Sequence, residues 1–310
     1  MRKGLVLVMA LLVFLAACEE NGDDGRDVPY IGGTQGLDVS YIDGFPPDRV
    51  LDQGEEPFDV IVELTNLGET EVDADDVHVT LSGFSHTSFG YESDDLYRTA
   101  SEDIEANQRN PDGSIVEALP VEVEFADFAY QEGVASSQEF PFRAEVCYKY
   151  STTAVTDICV QEDMRRGDDD LCDISSVRDI HNSGAPIQVT RLEQSGAGTD
   201  TARINMEIEN RDSGDVYAHG DMCDSTNRRD NNVYVEIQGL ESGYEVDCRG
   251  LRDGESDSEG YINLGSEGKT DLTCTIEIDE RNTRLQNFDI EVTYDYEESV
   301  RKDIVVEQYE

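Results

Sequence analysis

The chain has 310 residues, of which 70 are Asp or Glu and 23 are Lys or Arg, so its formal net charge is −47 at pH 7. This balance excludes nucleic acid as a partner, because binding it requires Lys and Arg against the phosphates. The acidic residues are scattered between alternating apolar residues rather than collected in one tail. That distribution favours a folded protein over intrinsic disorder.

Lysine is scarce among the basic residues: there are four, against nineteen Arg. At about 1 M salt the Debye length is about 3 Å, so neighbouring carboxylates scarcely repel each other. In dilute buffer the same surface would repel itself and destabilise the compact state. Acid excess with scarce Lys resembles the proteins of extreme halophiles. The alternative is an acidic surface protein in ordinary salt, screened by divalent cations.

The first residues are typical of an export signal. Arg2 and Lys3 precede an uncharged apolar stretch over residues 4–17. That stretch is too short for a membrane-spanning helix, which needs about 20 apolar residues. "LAAC" at residues 15–18 resembles a lipobox, in which the cysteine is lipidated and becomes the mature N-terminus. We therefore predict a lipoprotein signal peptide (1–17) and a lipid on Cys18, which would attach the protein to the extracellular face of the membrane.

An ordinary secretion signal and a core helix are the alternatives for residues 1–17. Removal of the signal would leave 21 basic residues against 70 acidic ones, a net charge of −49. Residues 18–35 are then predicted to form an acidic flexible tether, since they are too polar to fold alone.

An internal repeat divides the remaining chain, whose length by itself suggests two domains. "FRAEVCYKYSTTAVTDICVQ" (142–161) aligns without gaps with "FDIEVTYDYEESVRKDIVVE" (288–307) at an offset of 146 residues. Two earlier segments, 58–68 and 75–84, match 202–212 and 231–240 in the same order. Three matches in one order indicate a duplication.

Each repeated segment alternates apolar and polar residues, as half-buried strands do. In the first segment Val60, Val62 and Leu64 would face inward. The last segment of each copy is interpreted as a hairpin of two strands. We predict an all-β fold with two tandem immunoglobulin-like β-sandwich domains, at 36–161 and 184–308, joined by a linker at 162–183.

Six cysteines besides Cys18 predict disulfides, because an even number outside the membrane is typical of bonded pairs. Cys147 and Cys159 are both replaced in the second copy and would lie on consecutive strands of one hairpin, so we predict that they pair. The other four allow three pairings. We prefer Cys248–Cys274, which leaves Cys172–Cys223. No two cysteines have the CxxC spacing of a zinc site, so no metal is predicted there.

No catalytic constellation is apparent, and we predict neither enzymatic activity nor a cofactor. His78 is interpreted as a surface residue, and His86 lies near several hydroxyls without a GxSxG motif. The acidic clusters lack the spacing of an EF-hand loop, which leaves a calcium site only as an alternative. Four tyrosines recur in the repeat and could form a ligand platform, although core packing is favoured; they are Tyr148, Tyr150, Tyr294 and Tyr296.

The segment at 32–72, with its Gly-rich start and its Pro46-Pro47 turn, resembles surface proteins of small-genome archaea that carry CARDB-like or immunoglobulin-like β-sandwich domains. The "VCYKYSTTAVTDICV" segment (146–160) and "GAPIQVTRLEQ" (184–194) are similar to the same group. The resemblance implies an extracellular adhesion-type or assembly-type module. No catalytic residue comes with it.

The sequence thus predicts a lipid-anchored, salt-adapted extracellular binding or adhesion protein. Its partner would be a protein or another envelope macromolecule, or a further copy of itself. One alternative is a structural subunit of a surface filament or sheath that assembles by β-strand augmentation. A solute-binding or enzymatic lipoprotein is the weaker alternative.

Overall fold

The computed structural model describes residues 29–165, 171–224, 230–240, 242–279 and 282–309. The predicted signal peptide, Cys18 and the first part of the tether lie outside the described residues. The fold is all-β, as predicted, and contains several sheets.

The first copy of the repeat contains nine strands: β1 (Leu37–Tyr41), β2 (Arg49–Leu51), β3 (Phe58–Asn66), β4 (Val77–Ser82), β5 (Tyr97–Thr99), β6 (Gln108–Arg109), β7 (Ile115–Val116), β8 (Val121–Phe128) and β9 (Gln138–Val160). The described residues of the second copy contain nine more: β10 (His181–Asn182), β11 (Ile187–Gly196), β12 (Thr201–Asn210), β13 (Asp215–Tyr217), β14 (Asn232–Gln238), β15 (Tyr244–Arg249), β16 (Glu259–Asn263), β17 (Lys269–Ile278) and β18 (Arg284–Glu307). Short 3₁₀ helices cover Ala74–Asp76, His86–Phe89 and Ser93–Leu96.

A nine-stranded sheet extends through both copies of the repeat. Its main path is β16-β14-β18-β9-β4-β5, and β2, β10 and β13 join at the sides. Two smaller sheets, β1-β3-β8 and β11-β12-β17-β15, belong to the first and second copy respectively. We call the first copy of the repeat, which includes the sheet β1-β3-β8, the first half. The second copy, which includes the sheet β11-β12-β17-β15, is the second half.

The centre of the large sheet is a ribbon formed by β9 and β18, which pair antiparallel without a register shift from Gln138↔Val306 to Val160↔Arg284. Lys149 pairs with Asp295 in this ribbon. The same two positions correspond in the sequence repeat. A local twofold axis therefore passes between them and relates the two halves.

The ribbon overturns the hairpin interpretation of the repeated segments. Each segment is one continuous strand, 23 residues long in β9 and 24 in β18. The first part of β9 pairs with β4 of the first half, and its last part pairs with β10 of the second. Residues 151–155 and 297–301 contain no Gly, Pro or Asn, the residues that tight hairpin turns require. Each strand therefore runs straight from one half into the other.

Alternation within the strands is confirmed. Val60, Val62 and Leu64 are fully buried, and Ile61 is half-buried. Strands β4 and β14, which correspond to each other in the repeat, bury Val77 and Val233 in the same way. These side chains belong to one continuous hydrophobic core under the large sheet.

The recurrent tyrosines are core residues, in agreement with the favoured interpretation. All four are at most 1% exposed. Tyr148 pairs with Tyr296 and Tyr150 with Tyr294 across the ribbon. Their hydroxyls reach the smaller sheets: Leu37 N donates to Tyr148 Oη over 3.1 Å, and Ile187 N donates to Tyr294 Oη over 3.4 Å.

Hydrogen bonds fix the chain before residue 36, within the segment that was predicted to be a flexible tether. Glu69 accepts hydrogen bonds from the backbone N–H groups of Ile31 and Gly32 at 2.8 and 2.9 Å. It also accepts one from Gly184 N at 2.7 Å. One carboxylate thus joins the N-terminal segment to the start of the second half.

Candidate functional site

The face of the ribbon opposite the core carries Lys149 and Asp295, the two residues at the twofold axis. Asp295 is 1% exposed and accepts hydrogen bonds from Gly220 N (3.2 Å) and Met222 N (2.6 Å). Burial raises the pKa of its carboxyl, although those two N–H groups and His219, with Nδ1 at 3.7 Å, act in the opposite direction. Asp295 therefore fixes the loop after β13 against the ribbon.

A disulfide fixes the same loop from the other strand. Cys147, on β9, bonds to Cys223, 76 residues later. The predicted Cys147–Cys159 pair is wrong, because both residues lie on one continuous strand. Twelve residues of extended chain separate them by about 40 Å, whereas a disulfide requires Cα atoms within about 7 Å.

The remaining cysteines pair as Cys159–Cys172 and Cys248–Cys274. The first of these overturns the predicted Cys172–Cys223 pair. It joins the predicted linker to the end of β9, where Gln161 Nε2 also donates to Cys172 O over 2.7 Å. The second is the pair preferred from the sequence, and it crosses directly between β15 and β17.

A groove of about 410 Å³ lies on this face beside the twofold axis. Its floor is the ribbon, with Lys149 and Ser151 from β9 and Thr293 from β18. One wall is the segment at 70–76 of the first half, and the other is Tyr234 and Glu236 of β14 in the second half. Both halves therefore build the groove.

Carboxylates dominate the charge of this groove. Its lining contains Glu71, Asp73, Asp76, Glu236 and Glu291, against one Lys and one His. Lys149 Nζ lies 3.7 Å from Asp76 Oδ2, which leaves four carboxylates against His219. The groove would therefore attract basic or hydrogen-bond-donating groups.

Tyr234 provides an aromatic surface on the second wall. Its ring packs edge-on against Tyr261 at 5.0 Å, and its hydroxyl donates to Glu259 Oε2 over 2.9 Å. Burial and the neighbouring Glu259 raise the pKa of Tyr234 to about 12. The side chain thus stays neutral and is held in place by its neighbours.

The two histidines singled out from the sequence, His78 and His86, do not line the groove. His78 contacts Tyr97 on the outer side of β4 and is half-buried, and burial lowers its pKa. His86 starts a 3₁₀ helix next to Ser85 and Thr87. Sequence reasoning did not find the groove or His219. Lys149 and Asp295 could have indicated the position of the groove, because they hold equivalent positions in the repeat but carry opposite charges.

Three exposed carboxylates on the first half, from Glu71, Asp73 and Asp103, have oxygens within 4.8 Å of one another. Asp103 Oδ1 accepts a hydrogen bond from Ala74 N over 2.8 Å, so it already has a structural partner. We assign no ion to this cluster.

In the part of the chain that the structure describes, no helix is long and apolar enough to cross a membrane. No protein-family model matches the sequence, and the search of curated proteins gives no match.

Among solved structures, the chain is similar to the envelope protein VP37 of White Spot Syndrome Virus, with 12% identity and a TM-score of 0.21. The match covers 48% of this chain and 98% of the viral protein. At this TM-score the likeness supports no conclusion about function. The three disulfides by themselves are typical of an extracellular or secreted protein.

Proposed function

We propose that this protein is a lipid-anchored, salt-adapted extracellular binding or adhesion protein without catalytic activity, built from two immunoglobulin-like halves. The observation that carries the proposal is the groove at the twofold axis, because residues of both halves line it. The unbroken ribbon under the groove keeps the two walls at a constant separation. A preformed site of this kind binds without the cost of ordering its parts.

The chemistry of the groove indicates the partner. Four carboxylates remain beside the Lys149–Asp76 pair, and Tyr234 offers a flat aromatic surface. Carboxylates accept charge-assisted hydrogen bonds from Lys and Arg. A basic segment of an envelope or host protein therefore fits this groove better than an acidic one.

The groove is tested by binding of the purified mature protein to cell envelopes in about 3 M salt. Replacing Glu236 and Glu291 by Gln is expected to weaken binding at least tenfold, since two carboxylates that pair across β14 and β18 are lost from the groove. The matched control replaces Glu245 and Glu277, exposed acids paired across β15 and β17, by Gln. Equal binding by both double variants would contradict the groove as the site.

The membrane anchor is tested separately. Cys18→Ser is expected to release the protein into the medium, because the lipid would be lost. Retention on the cells would contradict lipidation but leave the groove unaffected. Regular polymers in images of the extracted protein would favour the filament alternative over a simple receptor.

The salt-adapted part of the proposal rests on the charge of −47 and on the resemblance to archaeal surface proteins. Self-repulsion is screened within about 3 Å at 1 M salt and within about 10 Å at 0.1 M. The free energy of unfolding is therefore expected to fall steadily as salt is removed. Stability that is unchanged between 3 M and 0.1 M would contradict salt adaptation.

A further inference from the structure

A second concave site, of about 470 Å³, lies beside β11 in the second half. One side is the strand itself, and the other is the segment at 177–182. Arg178 N donates to Leu192 O over 2.9 Å, so the segment follows the far part of β11 closely. The volume falls within the roughly 300–1,000 Å³ of small-molecule sites.

A β-bulge shapes this cavity. The register between β11 and β12 shifts between Val189 and Arg191, which leaves Thr190 as the extra residue. In a regular strand neighbouring side chains point to opposite faces, whereas a bulge can redirect one of them. Thr190 and Arg191 are both exposed, and both line the cavity.

The cavity is rich in arginine, although the molecule as a whole is strongly acidic. Its lining contains three arginines, Arg178, Arg191 and Arg211, and one acid, Asp179. The chain as a whole has 70 acidic residues against 23 basic ones. Three guanidinium groups around one concave surface are therefore not the expected outcome of this composition.

The arginines are held in place but keep accessible donors. Arg191 pairs with Glu193, and Arg211 Nη1 lies 3.1 Å from Glu209 Oε2, while the two arginine side chains are 58% and 50% exposed. Arg178 Nη2 donates to Gln194 Oε1 over 2.7 Å. Its buried Nε has no hydrogen-bond partner within the described residues. The guanidinium groups of Arg191 and Arg211 therefore keep N–H donors that a ligand in the cavity can reach.

We propose that this arginine-lined cavity is a binding site for a carboxylate-bearing ligand. The planar guanidinium group matches a carboxylate in a bidentate arrangement, which a lysine cannot provide. The site is independent of the acidic groove, because it lies on other elements and selects the opposite charge. The volume of the cavity fits a small carboxylate-bearing molecule such as an acidic oligosaccharide, so carboxylates of a second copy of the chain are the rival occupant that the test must exclude.

The test uses the mature protein in its native salt and two readouts. Binding of an oligogalacturonate is measured by calorimetry, with a neutral galactose oligomer of the same length as the ligand control. Self-association is measured by sedimentation. The variant is Arg191→Gln with Arg211→Gln, and the control is Arg203→Gln, an exposed arginine of β12 outside the cavity.

The acidic oligosaccharide is expected to bind and the neutral one not to bind, and the double variant is expected to weaken binding at least tenfold. Self-association that the double variant abolishes, without binding of the acidic oligosaccharide, would contradict a small-ligand site. Arg203→Gln should change neither readout. Absence of acidic-oligosaccharide binding in the unsubstituted protein, or binding that survives the double substitution, overturns the proposal. Circular dichroism of the variants verifies that they are folded.

Discussion

The two halves hold the centre of the ribbon with the same arrangement of hydrogen bonds. In the first half, Tyr150 Oη donates to Asn66 Oδ1 over 2.9 Å, and Asn66 Nδ2 donates to Thr70 O over 2.7 Å. In the second, Tyr296 Oη donates to Asn210 Oδ1 over 3.2 Å, and Asn210 Nδ2 donates to Gly214 O over 3.0 Å. We call this device the Asn–Tyr clamp. Its repetition shows that the duplication preserved hydrogen bonds as well as the pattern of strands.

Outside the clamp the halves differ in how they are stabilised. The first half has an aromatic core, in which the ring of Phe142 contacts those of Phe58, Phe84, Phe89 and Phe128. The second half is crosslinked: Cys248–Cys274 lies within its smaller sheet, and Cys147–Cys223 fixes its loop. The comparison indicates that aromatic packing and covalent links serve as alternatives on one framework.

The largest effect is expected from removing the link between the halves. Cys147→Ala with Cys223→Ala should lower the free energy of unfolding by about 4.5 kcal/mol in the chain-entropy description, because the bond closes a loop of 76 residues. Cys159→Ala with Cys172→Ala, which opens a loop of 13 residues, should cost about 3 kcal/mol. Denaturant unfolding in native salt measures both losses. The order of the two would be reversed if strain, rather than loop length, controlled these bonds.

The next largest loss of stability is expected from substitutions in the Asn–Tyr clamp. Asn66 is fully buried, and Asn66→Ala would leave the Tyr150 hydroxyl and the backbone groups of Gly68 and Thr70 without their partner. We expect a loss of about 3 kcal/mol. Asn210→Ala should cost less, about 2 kcal/mol, because Asn210 is half-exposed and water can replace part of its bonds. Thermal or chemical unfolding of the matched pair tests this difference, and equal losses would argue against it.

The aromatic core predicts a smaller effect at two equivalent positions. Phe142 and Phe288 correspond in the repeat, and both are fully buried. Phe142→Leu should cost about 2 kcal/mol, because it loses several edge-on and stacked ring contacts in addition to apolar area. Phe288→Leu should cost about 1 kcal/mol, since no ring pair involving Phe288 occurs among the described residues. The same unfolding measurement compares them, and a larger loss at Phe288 would refute the distinction.

The smallest effect is a difference in pH dependence. Thr152 and Glu298 are equivalent positions, and each contacts a buried tyrosine hydroxyl: Thr152 Oγ1 lies 3.1 Å from Tyr294 Oη, and Tyr148 Oη donates to Glu298 Oε1 over 3.1 Å. Burial raises the pKa of Glu298 from 4.5 to about 7. The folded state thus binds a proton that the unfolded state releases, and this contribution to stability falls as pH rises from 4.5 to 7.

Glu298→Thr makes the two positions identical and should remove this decrease. Relative to the variant, the unsubstituted protein is expected to lose on the order of 1 kcal/mol across that interval, after allowance for solvent screening. Unfolding curves at several pH values measure the difference. Glu139→Gln, at an exposed site on β9, controls for the loss of one surface charge. A slope in Glu298→Thr as steep as that of the unsubstituted protein would contradict the assignment.

The sequence was sufficient for features that depend on local periodicity. The inward positions of β3, β4 and β14 follow from alternation, and the four core tyrosines follow from their recurrence in the repeat. The pairing of strands was not predictable in the same way, because partners in a sheet are set by contacts far apart in the chain. The absence of turn residues at 151–155 was the local sign that β9 continues, and recognising it would also have excluded Cys147–Cys159.

Neither concave site could be predicted from spacing. The groove joins Glu71 of the first half to Glu236 of the second, and the arginine-lined cavity joins Arg178 to Arg211 across a bulge. These combinations exist only once the ribbon and the register shift in β11 are known. Composition predicted the acidic surface but not the arginine-lined cavity within it.

The last strand has a consequence for the order in which the chain folds. β18 pairs with β9, whose residues lie at least 124 positions earlier, counted from Val160 to Arg284, and its end at Ile304 and Val306 is buried in the first half beside β2. The first half therefore cannot complete its sheet until nearly the whole chain has been synthesised. Such non-local pairing slows folding, so a chain that crosses the membrane unfolded would reach the outside before its sheet can close.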